Sequence, residues 1–463
     1  NDTNEQYWTS AYNAIAVANH ALEAIEQLPD PGAASLQKGE ALLARAYAHF
    51  CLLTLFADFF DTNNLAANPG IPYVTEPETV VIKHYDRETA AQTLEHVLKD
   101  LEEGMQLVGG SSDYDQPKFH FTRDAAAAFG ARIALFSRNY NDVIRYANML
   151  LPTPTQHFAL SYTDDTPVLN ADGSPAQGVD PNDAADQFMR SNLHDWRTYI
   201  KSGNPDQMGT DFTSASANAN LLLTECVTLA YREMVGTAYV RHAMERTAMV
   251  TLLTENVTGD PWIFQNVAYQ WNGGRTYWLP KFYEDFKIDN PVAQTGVPYS
   301  KCALLRLEEV LLARAEAYAM LGNYDGALDD LNMFAACRID DYAYGPNTLY
   351  KDKLTDYYTA QLNAPDHFIN SAYNAGRFKA GDEGNVQKAL ILTVLDFRRI
   401  EFLYEGIRYW DVLRWNIPVT HTTIDGATST LTPDDDRRIL QIPQIATASG
   451  IQLNDMVNIP YPW

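Results

Sequence analysis

The chain has 463 residues, 46% of them apolar and 12% aromatic, enough to pack an interior and too many for a disordered polymer. It carries 59 acidic against 34 basic residues, a formal charge of −25, and that field weighs against nucleic acids and other polyanions as ligands. No run of about eighteen apolar residues occurs, so no membrane-spanning helix is expected. The length admits two or three domains, or one large domain with insertions. The chain opens at Asn1 with neither a charged start nor an apolar leader. That leaves two readings: a cytosolic protein, or one whose targeting segment lies outside this chain.

Residues 6–28 and 35–58 read as a first helical pair. Residues 59–86 contain Pro69, Gly70, Pro72 and Pro77, the marks of an excursion between helices. Residues 87–107 and 122–151 form the next pair, starting from a cap near Asp86. Residues 152–220 are rich in Pro, Asp, Asn, Ser and Gly and have little periodicity. Residues 255–300 mix turn formers with dense aromatics. A further helical stretch covers 303–338, residues 340–385 are polar and Tyr-rich, and 386–415 return to helix.

The helical stretches repeat. Leu42-Leu-Ala-Arg45 recurs as Leu311-Leu-Ala-Arg314 and more faintly as Phe129-Gly-Ala-Arg132. After the latter two come Asn139-Tyr140 and Asn148-Met149, then Asn323-Tyr324 and Asn332-Met333 at the same internal spacing. Small residues (Ala44, Ala46 and Ala48; Ala313, Ala315 and Ala317) let a neighbouring helix approach. This is the logic of tetratricopeptide-like repeats, with a period of roughly 34 residues, which bury their apolar sides only by stacking.

Asn266-Val-Ala-Tyr-Gln-Trp-Asn-Gly-Gly-Arg-Thr-Tyr-Trp-Leu279 reads as a β-hairpin turning at Asn272-Gly273 or Gly273-Gly274. Either turn places Tyr269, Trp271 and Trp278 on one face, because side chains alternate along a strand. Trp262 and Phe264 lie just upstream. One reading anchors these rings on the helices. The other is a platform for sugar, whose C–H face matches an aromatic ring, with Asn266, Gln270, Asn272 and Arg275 bonding the hydroxyls. A shallow platform of this kind binds weakly, at roughly −4 to −8 kcal/mol. Trp196 in His194-Asp-Trp-Arg-Thr-Tyr199 is a second candidate and Tyr73 a third, each also open to a packing role.

Chemistry is sparse. There is no His-Glu-x-x-His, no Gly-x-Ser-x-Gly and no phosphate-cradling glycine loop, so no enzymatic activity, cofactor or metal is expected. The acids at Asp164-Asp165, from Asp180 to Asp186 and at Asp434-Asp435-Asp436 lack calcium-loop spacing and read as solvated turns. Adjacent Glu308-Glu309 on a helix point apart and cannot form a glycosidase pair. The four cysteines show no metal spacing. Cys51 reads as a core thiol. Cys302 and Cys337 bracket a helical hairpin, and a bridge between them is open if their Cα atoms come within ~7 Å.

Residues 396–415, Asp-Phe-Arg-Arg-Ile-Glu-Phe-Leu-Tyr-Glu-Gly-Ile-Arg-Tyr-Trp-Asp-Val-Leu-Arg-Trp, match four acids with four arginines among six aromatic rings. The pattern predicts a helix pair with charges matched across a partly buried seam, broken at Gly406. The segment resembles the C-terminal signature of the SusD/RagB family, Glu-Arg-x-x-Glu-Phe-x-x-Glu-Gly-x-Arg-x-x-Asp-Leu-x-Arg-Trp. Arg399, Glu401, Phe402, Glu405, Gly406, Arg408, Asp411, Arg414 and Trp415 carry the match, while Arg398 stands where the family commonly has glutamate. Lys38-Gly-Glu-Ala-Leu-Leu-Ala-Arg-Ala-Tyr-Ala-His-Phe50 is similar to the family's N-terminal Lys-Gly-Glu-Ala-x-x-x-Arg-Ala-Tyr. The tail, Leu440-Gln-Ile-Pro-Gln444 and Asn458-Ile-Pro-Tyr-Pro-Trp463, is a third match.

The fold expected is mainly α: a tetratricopeptide-like helical-hairpin scaffold (6–58, 87–151, 303–338 and 386–415) in a single domain over 1–463. An irregular, loop-rich ligand lobe (59–86, 152–300 and 340–385) with a short β-hairpin is inserted into it. The resemblance implies a lipoprotein on the outer face of the outer membrane, anchored by an N-terminal cysteine outside this chain. It implies capture of a nutrient oligomer, a glycan, for a SusC-like TonB-dependent transporter. A peptide-binding member of the family and a helical-repeat interaction scaffold without small ligand are the alternatives. The expected ligand contacts are Trp271, Trp278, Tyr269, Trp262, Asn272, Arg275, Trp196 and Tyr73.

Overall fold

The computed structural model describes residues 3–80, 82–152, 181–227, 244–270, 276–343, 345–423, 425–433 and 435–456. The chain divides into two compact units, residues 1–139 with 409–463, and residues 140–408. Both are mainly helical.

In the first unit, α1 (Thr3–Glu26), α2 (Ser35–Phe56), α3 (Ala90–Leu107) and α4 (Arg123–Phe136) follow the apolar periodicity. α2 packs on both α1 and α3. The α2–α3 crossing is close because each helix offers a glycine. A Cβ on Gly39 would lie 2.9 Å from the Gly104 carbonyl oxygen, and one on Gly104 would lie 2.9 Å from that of Gly39. Gly39 belongs to the Lys-Gly-Glu-Ala stretch, so that stretch carries a packing requirement. The cap of α3 is Thr89 rather than Asp86. Its hydroxyl accepts from the Gln92 N–H at 3.2 Å, and the Gln92 side chain accepts from the Thr89 N–H at 3.1 Å. This reciprocal pair satisfies two donors that a helix start otherwise leaves open. His49 holds the excursion after α2. Its Nδ1 faces the Arg45 carbonyl at 2.9 Å and its Nε2 accepts from the Val74 N–H at 3.0 Å, roles that only the neutral ring fills. Burial is the main reason its pKa falls to about 3.

In the second unit, the helix Leu307–Leu321 packs on α5 (Tyr140–Leu150), on Tyr324–Arg338 and on Gly381–Glu401. Gly322, at φ +82°, ends the first of these, and Asn323 caps the next by accepting from the Gly326 N–H at 3.0 Å. In the corresponding turn before Tyr140, Arg138 takes φ +60°.

The sequence repeat has a structural counterpart. Arg45 forks onto Asp100 with Nε and Nη2 at 2.7 and 2.8 Å, while Nη1 donates to Asn19 at 3.0 Å and to the Thr75 carbonyl at 3.2 Å. Arg314 forks onto Asp330 at 2.8 and 2.7 Å, while Nη1 donates to Asn148 and to the Pro152 carbonyl, both at 2.9 Å. Each arginine thus ties three helices and one outgoing loop, and the planar fork is what permits it.

Strands are more extensive than the single hairpin expected. β1 (Asn220–Cys226), β6 (Thr295–Arg306) and β5 (Glu284–Asn290) form one antiparallel sheet in the order β1-β6-β5. β2 (Met244–Glu245), β4 (Thr276–Trp278) and β3 (Tyr269–Gln270) form a second in the order β2-β4-β3. β7 (Val419–Thr422) and β8 (Thr428–Leu431) form a hairpin in the first unit. Residues 303–306 therefore finish a strand instead of starting a helix, because Ala303 and Leu305 pair with Leu223 and Leu222. Short apolar runs fit either structure until a partner strand decides. Helices also occur where irregular chain was expected, at Pro181–Asn192, Pro205–Phe212 and Lys351–Tyr357. Cys302 lies on β6 with its sulfur against Cys226, while Cys337 is buried and donates to the Ala185 carbonyl. The Cys302–Cys337 bridge is thus excluded, since the two face different elements.

Candidate functional site

The signature acids meet distant partners in the second unit. The helix Gly381–Glu401 ends at Glu401, and the chain turns through Tyr404 at φ +69° and Gly406 at φ +79°. The expected break at Gly406 is present, and it takes two left-handed residues. Glu401 accepts from Arg338 Nε at 2.8 Å and from Arg306 Nη1 at 3.3 Å. Arg306 also reaches Glu405 at 2.8 Å, and Arg338 reaches Glu308 at 3.0 Å. Lys281 Nζ donates to Glu405 Oε1 at 2.6 Å and to the Glu401 carbonyl. His194 faces Glu308 Oε1 through Nδ1 at 2.8 Å and the Phe212 carbonyl through Nε2 at 2.9 Å.

These side chains are between 0 and 8% exposed. Three carboxylates (Glu308, Glu401, Glu405) thus face three basic side chains (Lys281, Arg306, Arg338) out of water. Burial alone would raise Glu308, but His194, Arg306 and Arg338 outweigh it and hold the carboxyl well below the usual range. Burial likewise opposes Arg338, Arg306 and Lys281 at Glu401, and the cations win. Burial pulls Lys281 below its ordinary value against Glu405 and Glu401. A buried network of this kind adds little net stability over an apolar one, but it is intolerant of losing one member. Being closed to solvent, it reaches no ligand and acts as a foundation.

What it supports is the small sheet. Tyr404 donates from its hydroxyl to the Tyr277 carbonyl of β4, and the Met244 N–H of β2 donates to the same hydroxyl at 3.4 Å. Lys281 fixes the chain just beyond Leu279. In the sheet Tyr269 stands opposite Trp278 and Gln270 opposite Tyr277. That is the register of the Gly273-Gly274 choice, although Trp271, Asn272, Gly273, Gly274 and Arg275 lie outside the described residues. For Tyr269 the backbone pairing alone is described.

The other expected contacts are placed as follows. Trp278 is 2% exposed, and Trp196 and Trp262 are 0%. Trp262 lies 5.3 Å from Phe397 and 5.7 Å from Phe334, ring centre to ring centre, and Trp196 lies 5.0 Å from Phe264. These three indoles are therefore interior anchors in this conformation, a correction to their expected place against ligand. The physical reason is that helix and loop rings close over one another and leave no open ring face. Tyr73, in the first unit, is likewise committed: its hydroxyl donates to Asp100 and its ring stacks on His49 at 3.9 Å. Asn266 donates to Asp340 at 2.7 Å.

Sequence reading missed Lys281, Arg306 and Arg338 as partners of the signature acids, and His194 as the partner of Glu308. The excess of arginines in and near apolar helices was the available signal. It also missed two clefts in the first unit. One, of about 360 Å³, is lined by Trp8, Tyr12, Val74, Tyr85 and Ile451. The other, of about 610 Å³, has Arg45, Glu23, Glu76 and Lys83 on its walls. Among the described residues no group of His, Cys, Asp or Glu is arranged to hold a metal ion.

Two mainly helical units, with helical hairpins, a few short strands and a buried ionic network in the second, define a fold of the tetratricopeptide-like class. Comparison with known proteins agrees. Residues 1–135 match a family described as "Starch-binding associating with outer membrane", and residues 253–432 match the SusD family. The chain belongs to the SusD/RagB family. No curated protein matches it in sequence. Among solved structures it is similar to a SusD superfamily protein from Bacteroides thetaiotaomicron, at 20% identity and TM-score 0.60, covering 96% of this chain and 84% of that one. It is similar to a putative sugar binding protein from Bacteroides vulgatus, at 18% identity and TM-score 0.62, covering 97% and 84%. A laminarin binding SusD-like protein matches at 15% identity and TM-score 0.55, covering 97% and 85%.

Proposed function

We propose that the protein binds a glycan at the cell surface and hands it to a TonB-dependent outer-membrane transporter without altering it. The observation that carries the reading is the β2-β4-β3 sheet, in which Tyr269 opposes Trp278 and which Tyr404 and Lys281 fasten to the family signature. A rigidly seated hairpin is the kind of support a weak, shallow sugar platform needs, since loosely held groups lose affinity to ordering entropy. Similarity to a putative sugar binding protein and to a laminarin binding SusD-like protein supports a carbohydrate as the cargo. The family's description as associating with the outer membrane supports the location. The proposed contacts are Trp271, Asn272, Arg275 and Tyr269, while Trp278, Trp262 and Trp196 are buried.

Calorimetry against neutral oligosaccharides, β-1,3-glucans among them, and against peptides tests the reading. Binding of one glycan class, weakened at least tenfold by Trp271→Ala at unchanged thermal stability, is expected. Binding to peptides alone would overturn it, and binding to neither would favour an interaction scaffold. Co-purification with a TonB-dependent transporter tests the hand-over.

A further inference from the structure

Cys226 is the last residue of β1 and Cys302 lies within β6. In their ladder Cys226 pairs with Ser300 and Cys302 with Thr224. Residues two apart on a strand share a face, so the two cysteines are diagonal neighbours on one side of the sheet. Their Sγ atoms stand 3.3 Å apart and both residues are partly open to solvent. Cys51 and Cys337 are buried. No other residues of this sheet are sulfur-bearing, and nothing in the ligand reading uses these two.

We propose that Cys226 and Cys302 close into a cross-strand disulfide when the protein meets a disulfide donor such as an oxidised dithiol. The Cys226 thiolate attacks one donor sulfur, and the other donor sulfur leaves as a thiolate. Cys302 gives its proton to solvent and attacks Cys226 Sγ in the mixed disulfide, expelling as a thiolate the donor sulfur that Cys226 had captured. Two protein thiols are oxidised, one donor disulfide is reduced to two thiols, and the electrons balance. The order of steps suits the pair. The hydrogen bond from the Cys302 thiol lowers Cys226 to about 7 and raises Cys302, so Cys226 is the thiolate near neutral pH. Once Cys226 is in the mixed disulfide, that hindrance on Cys302 is gone. Only a small closing movement is needed to bring the sulfurs to bonding distance, roughly 2.05 Å. The link encloses β2, β3, β4 and β5, and so staples the base of the chain that carries the small sheet.

The test uses the full chain treated with oxidised glutathione, then denatured and alkylated with iodoacetamide before and after reduction. Intact mass is expected to show two alkylated cysteines before reduction and four after, with a Cys226–Cys302 linked peptide on digestion. Four alkylated cysteines before reduction, a link involving Cys51 or Cys337, or a glutathione adduct stalled on Cys226 would each overturn the proposal. The Cys226→Ser chain is expected to give three alkylated cysteines in both arms. A disulfide forming in that variant would count against the pairing.

Discussion

Replacing Glu401 by glutamine keeps the shape of the side chain and removes its charge. Two guanidiniums then lose the carboxylate that joins them, because Glu401 accepts from Arg338 at 2.8 Å and from Arg306 at 3.3 Å. Arg306, Arg338 and Lys281 would share only Glu308 and Glu405, with one cation in excess and no water to screen it. Breaking a buried pair in this way costs about 3–5 kcal/mol. At the low end of the usual conversion, about 2 °C per kcal/mol for a large domain, the melting temperature of Glu401→Gln falls by about 6–10 °C. The acid limb supplies a second readout. Glu308 and Glu401 are held below their unfolded values, so their stabilisation is complete above those values, near pH 4.5, and is lost as pH falls through the folded ones. Glu401→Gln should therefore lose stability near neutral pH and show a shallower decline below about pH 4.5. Differential scanning calorimetry across pH 3–7 measures both. A melting shift under about 2 °C would refute the view that the network is closed to solvent.

Other perturbations test the frame. His49 is neutral when folded, with its pKa lowered from 6.5 to about 3, so stability should fall as pH drops through that interval, at up to about 1.4 kcal/mol per pH unit. His49→Gln should abolish that slope in urea titrations. Gly39→Ala puts a methyl group against the Gly104 carbonyl and should cost about 1–3 kcal/mol, read as a lower urea midpoint. Thr89→Ala removes the reciprocal cap of α3 and should cost about 1 kcal/mol. Asp100→Ala and Asp330→Ala each strand a buried arginine fork and should destabilise by similar amounts, about 3–5 kcal/mol, by thermal unfolding.

The frame was legible because its periodicity is local. Leu42-Leu-Ala-Arg45 and Leu311-Leu-Ala-Arg314 announced equivalent helices, and the forks on Asp100 and Asp330 give the repeat its physical meaning. The seam at 396–415 was legible as matched charge, but its partners were not. Lys281, Arg306 and Arg338 come from 63 to 124 residues away, and no local pattern specifies such pairings. β5 escaped because Glu-Asp-Phe-Lys-Ile-Asp-Asn is exposed along almost its whole length, so burial imposes no clean alternation. The rings at Trp196, Trp262 and Trp278 were legible as aromatic candidates, and the structure buries all three. Sequence leaves open which side of a ring faces water, and here neither does.

Arg45 and Arg314 each spend one amine on a main-chain oxygen, at Thr75 and at Pro152. A carbonyl is offered by every amino acid alike. The fastening of these outgoing segments is accordingly blind to side-chain identity at the point of attachment. Residues beyond the tether can change in sequence while the helices that hold it keep their contacts.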